Sequence, residues 1–212
     1  MKTINNLQEL RYFIKNFRLI IFDLDDTLYN EIEYVRSGFH EIGKLFPQYN
    51  DVEELLWRYY IKGMAPIDTF LLNRNIYTPF LKQKCLEVYR MHNPQINLDP
   101  CTKQILIELR NKGYYLGIIT DGRPDGQRKK IRALRLNTLV DRIIVTDALG
   151  GEKWRKPNPI SFIKMVKGFD LQFQEGCYIG DNINKDFFAP QILGMGSIWF
   201  KNKKGIYYSS QK

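Results

Sequence analysis

The sequence predicts an α/β protein, a doubly wound parallel sheet into which an all-helical segment is inserted. Three observations carry that expectation. Short apolar runs end in carboxylates or hydroxyls, as Arg18-Leu19-Ile20-Ile21-Phe22-Asp23 does, which is the profile of a buried parallel strand. From about residue 100 onward, strand-like and helix-like segments alternate, the pattern of a sheet covered on both faces. Between them, residues 31–91 show helical spacing and no convincing strand.

Taken in order, Ile4, Leu7, Leu10, Phe13, Ile14 and Phe17 fall at helical spacing, so an amphipathic helix is expected before the first strand. Helices follow over 31–46, 51–62, 66–74 and 79–91. Asp51 and Glu54 form a D-x-x-E capping signal, and Pro66 and Pro79 suit first-turn positions. Asn93-Pro94 and Asp99-Pro100 mark a return linker. A helix over 101–112 leads to a strand over 114–120, then a helix over 124–137 and a strand over 142–146. The last elements are a helix over 159–169, a strand over 176–180, a helix over 185–193 and a strand over 197–200.

The chain has 212 residues, 44% of them hydrophobic, which suffices for a sizeable core with a smaller insert. No apolar run is long enough to cross a bilayer, and residues 1–17 are too interrupted by polar side chains for a signal peptide. The expectation is a cytoplasmic protein with no membrane partner. Cys85, Cys101 and Cys177 are far apart and odd in number, so neither a disulfide framework nor a zinc site is expected. The net charge of +9 invites a nucleic-acid reading, but the basic residues are dispersed. The run Arg128-Lys129-Lys130-Ile131-Arg132 reads as the solvated face of a helix, so no nucleic-acid partner is expected. The oligomeric state is open.

Ligands of doubly wound sheets collect beyond the carboxyl ends of the strands, so polar residues there define the candidate site. They are Asp23-Leu24-Asp25-Asp26-Thr27, Thr120-Asp121-Gly122, Thr146-Asp147 and Gly180-Asp181-Asn182 with Asp186; Lys156 lies in the loop Lys156-Pro157-Asn158-Pro159. Asp23, Asp25, Asp181 and Asp186 would repel one another strongly without a cation, and an oxygen-rich set of this kind suits Mg²⁺. Lys156 and Thr120 add a positive charge and a hydroxyl for a phosphoryl group. The set makes sense as a two-step phosphoryl transfer, with one carboxylate attacking phosphorus and a second moving the proton.

These segments resemble the motifs of the haloacid dehalogenase-like (HAD) hydrolase superfamily across the α/β part of the chain. Asp23-Leu24-Asp25-Asp26-Thr27 is similar to its D-x-D-x-T motif and Thr120 to its second-motif hydroxyl. Lys156-Pro157-Asn158-Pro159-Ile160-Ser161-Phe162 is similar to its K-P-x-P-x-x-F form, and Gly180-Asp181-Asn182 with Asp186 to its acidic fourth motif. The resemblance implies a HAD-like core over 1–29 and 100–212 and a helical C1 cap over 30–99. It implies Asp23 as nucleophile and Mg²⁺ ligand, and Asp25 as acid/base with its carbonyl on the metal. Asp181 would be a direct ligand, with Asp186 binding through water or orienting Lys156. Thr120, the Asp121 amide and Lys156 would hold phosphate. Many relatives have Asn where Asp121 stands, so its carboxylate is expected to turn away.

Dehalogenating relatives lack a carboxylate at the position of Asp25, since a halide leaves without a proton, so hydrolysis of a phosphate monoester is favoured. Phosphomutases keep this Asp; their D-G sequence differs from Asp26-Thr27 here. The expected substrate is a small phosphorylated metabolite of the nucleotide or sugar phosphate class, and a non-catalytic regulatory relative is the third alternative. Asp26 and Asp147 are read as turn residues. Tyr34, Trp57, Tyr59, Tyr60 and Phe70 are read chiefly as core of the helical insert.

Overall fold

A fully buried strand, Leu19–Phe22, sits at the centre of the sheet because each of its side chains is apolar and both of its faces are covered. In the computed structural model, which describes residues 1–206, it is the second of six strands. These are β1 (Lys2–Ile4), β2 (Leu19–Phe22), β3 (Tyr115–Thr120), β4 (Arg142–Val145), β5 (Gly176–Gly180) and β6 (Gly196–Phe200). The spatial order is β1-β6-β5-β2-β3-β4, and every pairing is parallel. The chain runs outward from β2 through β3 and β4, then crosses back to lay β5 and β6 on the other side. The switch point therefore lies at the carboxyl end of β2.

The chain divides into two units, one of Met1–Glu31 with the chain from Asn97 onward, the other Ile32–Ile96. In the second, α1 (Glu31–Gly43, beginning one residue before the division), α2 (Val52–Ile61), α3 (Pro66–Asn73) and α4 (Pro79–Met91) follow one another without a strand. Pro66 and Pro79 occupy first-turn positions, and the Thr78 hydroxyl caps α4 by accepting from the Leu81 amide at 3.0 Å. The D-x-x-E signal at Asp51 is corrected. The Asp51 side chain makes no cap bond; both of its oxygens instead accept from Arg74 Nη2, at 2.5 and 2.6 Å, because a charged donor outcompetes a neutral amide. Of the aromatics noted above, Tyr34 and Phe70 are buried, Phe70 lies edge-on to Phe46, and Trp57 stacks on Tyr60 beneath the Arg36 guanidinium. Those rings pack within the helical unit itself.

In the sheet unit the helices are α5 (Pro100–Asn111), α6 (Pro124–Ala133), α7 (Ile160–Lys167) and α8 (Phe188–Ile192). Leu19 and Ile21, alternating along β2, meet Phe162, Met165 and Val166 of α7 and Tyr178 of β5 in one buried cluster.

The N-terminal segment departs from expectation. The helix expected over 4–17 is a short strand followed by a 3-10 helix, Leu7–Tyr12. Asn6 and Glu9 form a reciprocal capping box that starts the helix at Leu7, which leaves Lys2–Ile4 to pair along β6. Of the six apolar positions expected inward, Ile4, Leu7, Leu10 and Ile14 are buried, whereas Phe13 is exposed and Phe17 half-buried, so the burial pattern holds for four of them and the backbone conformation differs. No helix among the described residues is long and apolar enough to cross a membrane.

Candidate active site

Asp23 follows β2 directly and is anchored by its amide to the Ile179 carbonyl of β5 at 2.8 Å. Asp181 follows β5, and Asp186 closes the same loop. Gly180 is what lets Asp186 in: a Cβ there would lie 2.5 Å from Asp186 Oδ2. Asp23, Asp181 and Asp186 are all buried, and each offers an oxygen within 4.8 Å of the others. Lys156 reaches into this group from the loop before α7. Its ammonium lies 2.7 Å from Asp23 and 2.8 Å from Asp186, with its side chain fully buried. The Tyr178 hydroxyl accepts from Lys156 at 2.8 Å and donates to Asp186 at 3.2 Å, tying the pair together from below.

The electrostatics of this cluster are unbalanced. Among the described residues, Asp23, Asp181 and Asp186 face the buried ammonium of Lys156, and the half-buried Lys185, 3.7 Å from the Asp121 carboxylate, adds a second positive charge nearby. Burial pushes the Asp23 carboxyl up to about 6, Lys156 opposing and Asp186 adding to the shift. Burial and then the charges of Asp23 and Asp186 push Asp181 up to about 8. Lys156 is held above its ordinary value, because the two carboxylates beside it outweigh its desolvation. Clustered hard oxygen donors with surplus negative charge fit a divalent cation such as Mg²⁺.

A stability test follows from the signs. In metal-free protein the native state keeps protons on Asp23 and Asp181 that the unfolded chain, with ordinary values of 3.8, releases. Stability is therefore present at low pH and falls as pH rises from about 4 through about 8. Thermal melts in EDTA should give a lower Tm at pH 8.5 than at pH 6, by several degrees, and added Mg²⁺ should raise Tm more at the higher pH. An EDTA melt unchanged between those pH values would contradict this account of the cluster.

Asp25, two residues from Asp23, does not send its carboxylate into the cluster. That side chain points towards α6, so three of the four residues expected around a metal converge through their carboxylates and Asp25 does not. One of its oxygens takes hydrogen bonds from Lys130 at 2.7 Å and Tyr29 at 2.5 Å, the other from Gln127 at 2.8 Å. Burial alone would raise the Asp25 carboxyl, but Lys130 and these hydrogen bonds hold it below its ordinary value.

Thr120, the last residue of β3, is buried, and its hydroxyl oxygen accepts from Gln127 at 2.6 Å. The Asp121 carboxylate is turned onto the Thr146 hydroxyl at 2.9 Å and the Lys156 amide at 3.0 Å. Asp26 is a buried turn residue whose carboxylate accepts from the Glu31 and Ile206 amides. Asp147 is held by Arg155 through two hydrogen bonds, at 2.8 and 2.7 Å.

The profile of the haloacid dehalogenase-like hydrolases matches residues 20–200, a span that includes every residue of this site. The chain belongs to that family. A glyceraldehyde 3-phosphate phosphatase of Pyrococcus abyssi is 32% identical over 203 residues, covering 88% of this chain and 82% of the relative. A phosphoserine phosphatase of Thermus thermophilus is 23% identical, covering 86% and 88%. The crystal structure of a HAD-superfamily hydrolase from Geobacter sulfurreducens superposes with a TM-score of 0.64 at 16% identity, covering 87% of each chain, a likeness of fold. With relatives at 30% identity and above over most of the chain named as phosphatases, this HAD hydrolase is an enzyme of the phosphatase kind.

Four residues of this candidate site, Tyr29, Gln127, Lys130 and Tyr178, are absent from the set expected from the sequence. Lys130 was expected on a solvated face; it is buried, as is Gln127. The signal was present: Gln127, Lys130, Ile131 and Leu134 share the inward stripe at i, i+3, i+4 and i+7, and two of the four are polar. A polar residue in a buried stripe needs a partner, and Asp25 supplies it.

Proposed function

We propose that this enzyme hydrolyses the phosphate monoester of a small phosphorylated metabolite, with Mg²⁺ and through a phosphorylated Asp23. The observation that carries the proposal is the divergence of two carboxylates only two residues apart. Asp23 enters a buried acidic cluster beside Lys156, whereas Asp25 is held outside it by Lys130, Gln127 and Tyr29. Attack and proton transfer need that division of labour.

In this reading Asp23 attacks phosphorus and Asp25 protonates the departing ester oxygen. Asp25 then takes the proton from the water that hydrolyses the acyl phosphate. An incoming phosphate brings like charge near Asp25, which favours the protonated carboxyl needed for the first step. Lys156, the Thr120 hydroxyl and the Asp121 amide hold phosphate oxygens. Asp23, Asp181, Asp186 and the Asp25 carbonyl would hold Mg²⁺, which when bound neutralises the charge of cluster and phosphate together. Asp186 doubles as an anchor for Lys156, at 2.8 Å. The unit Ile32–Ile96 is read as a helical cap domain.

The names of the relatives, glyceraldehyde 3-phosphate and phosphoserine phosphatases, support three-carbon phosphates as the first substrates to try. Phosphate release should be measured across a panel of sugar phosphates, nucleotides and phosphorylated amino acids, with and without excess EDTA. Release from one or a few small esters, abolished by EDTA and restored by Mg²⁺, is expected. Undiminished release in EDTA would sink the metal requirement. An isomeric phosphate product with little free phosphate would show a mutase.

A further inference from the structure

Burying a lysine is costly unless its charge is used, and Lys130 is the inward-facing lysine of a helix whose Arg128 and Arg132 are exposed. Its ammonium lies 2.7 Å from Asp25 and 3.7 Å from Glu31, with 7% of its side chain exposed. One turn earlier, the Gln127 side-chain nitrogen lies 2.8 Å from Asp25, 2.6 Å from the Thr120 hydroxyl and 2.7 Å from the Asp121 carbonyl. A carboxylate and a carbonyl oxygen only accept, so the Gln127 amide must present its NH₂ to this corner. Its two hydrogens serve three acceptors, so one is shared; because an amide nitrogen does not accept, the Thr120 oxygen can meet Gln127 only as an acceptor, and its own hydrogen is left to point to another acceptor. One face of α6 thus grips the proton-transfer carboxylate after β2 and the hydroxyl that ends β3.

We propose that Lys130 and Gln127 are positioning residues for proton transfer, fixing the Asp25 carboxyl on the line to the leaving oxygen and directing the Thr120 hydroxyl towards the phosphate. The inference rests on the hydrolase reading above. In the first step the Asp23 oxygen–phosphorus bond forms and the phosphorus–ester oxygen bond breaks. The ester oxygen leaves with the electron pair and takes the proton of the Asp25 carboxyl. In the second step a water oxygen bonds to phosphorus, the Asp23 oxygen–phosphorus bond breaks, and the water's proton passes to Asp25. Both transfers use one carboxyl in one place. Two donors from one helix face fix that carboxyl more firmly than the loop that carries it could alone.

The test separates aiming from mere support through the leaving group. An alkyl phosphate needs its leaving oxygen protonated, whereas 2,4-dinitrophenyl phosphate expels a stable anion that does not. Lys130→Met should lower kcat/KM for the alkyl ester at least about 100-fold. It should cost less than about tenfold for the dinitrophenyl ester, a split that general loosening of the site would not produce. In an Asp25→Asn background the same change should add little, because the carboxyl it aims is gone. If Lys130→Met does not fold, as judged by circular dichroism and melting, Gln127→Leu should show the same split at smaller size. Equal losses on both esters, or a full additional loss on top of Asp25→Asn, would overturn the proposal. Failure of the hydrolase reading looks different: the wild type would release no phosphate from either ester, or Asp23→Asn would release it as fast.

Discussion

Asp23→Asn should lower kcat by roughly 10⁴-fold or more while leaving the fold intact. In the proposed mechanism the change removes the charge and nucleophilicity of the attacking oxygen, and it alters the side-chain volume very little. It should not unfold the protein, because Asp23 is one of three carboxylates crowded against the Lys156 ammonium, and Asp186 still pairs with that ammonium at 2.8 Å. Burial and Asp186 already push the Asp23 carboxyl up to about 6, so a neutral amide there relieves repulsion in metal-free protein. The melting temperature in EDTA should be unchanged or higher, and the Mg²⁺-induced rise smaller than in the wild type. A well-folded Asp23→Asn variant with turnover within about tenfold of wild type would exclude Asp23 as nucleophile.

The largest expected effect on stability comes from Lys156→Met. Methionine fills a similar volume, but the change strands Asp23 and Asp186, both buried, without their shared ammonium. Removing one partner of a buried ion pair costs about 3–5 kcal/mol, which for a chain of this size lowers Tm by roughly 10 °C in EDTA. Added Mg²⁺ should recover part of the loss, since a cation on the same carboxylates supplies charge that the methionine lacks. Turnover should remain at least about 100-fold below wild type even at saturating Mg²⁺, because in the proposed mechanism Lys156 donates to the phosphate. A variant that melts like the wild type would show that the three carboxylates do not depend on Lys156. A variant with near-normal turnover would remove it from the catalytic set.

The site was largely legible in the chain because its parts sit at strand ends, and strand ends are marked locally. Asp23 ends the apolar run Leu19–Phe22, Thr120 ends Tyr115–Thr120 and Asp181 follows Gly176–Gly180, so period and composition suffice to find them. Family membership was legible for the same reason, since its motifs are short and contiguous. The helical segments between the first two long strands showed in periodicity alone. What escaped depends on partners remote in sequence. Lys2–Ile4 becomes a strand because β6, near the other end of the chain, offers it an edge. Asp51 gives up its cap for Arg74, twenty-three residues away.

The same distinction runs through the two carboxylates. The sequence by itself determined the chemistry available to Asp23 and Asp25, two acidic groups at the mouth of a parallel sheet. Only the tertiary structure decided which environment each receives, because charge partners are chosen by packing across the sheet. Lys156, 133 residues from Asp23, joins the acidic cluster, and Lys130, 105 residues from Asp25, draws the other carboxylate out of it. A buried lysine and a solvated one look alike in a basic helix. The difference is made by what the fold sets opposite them.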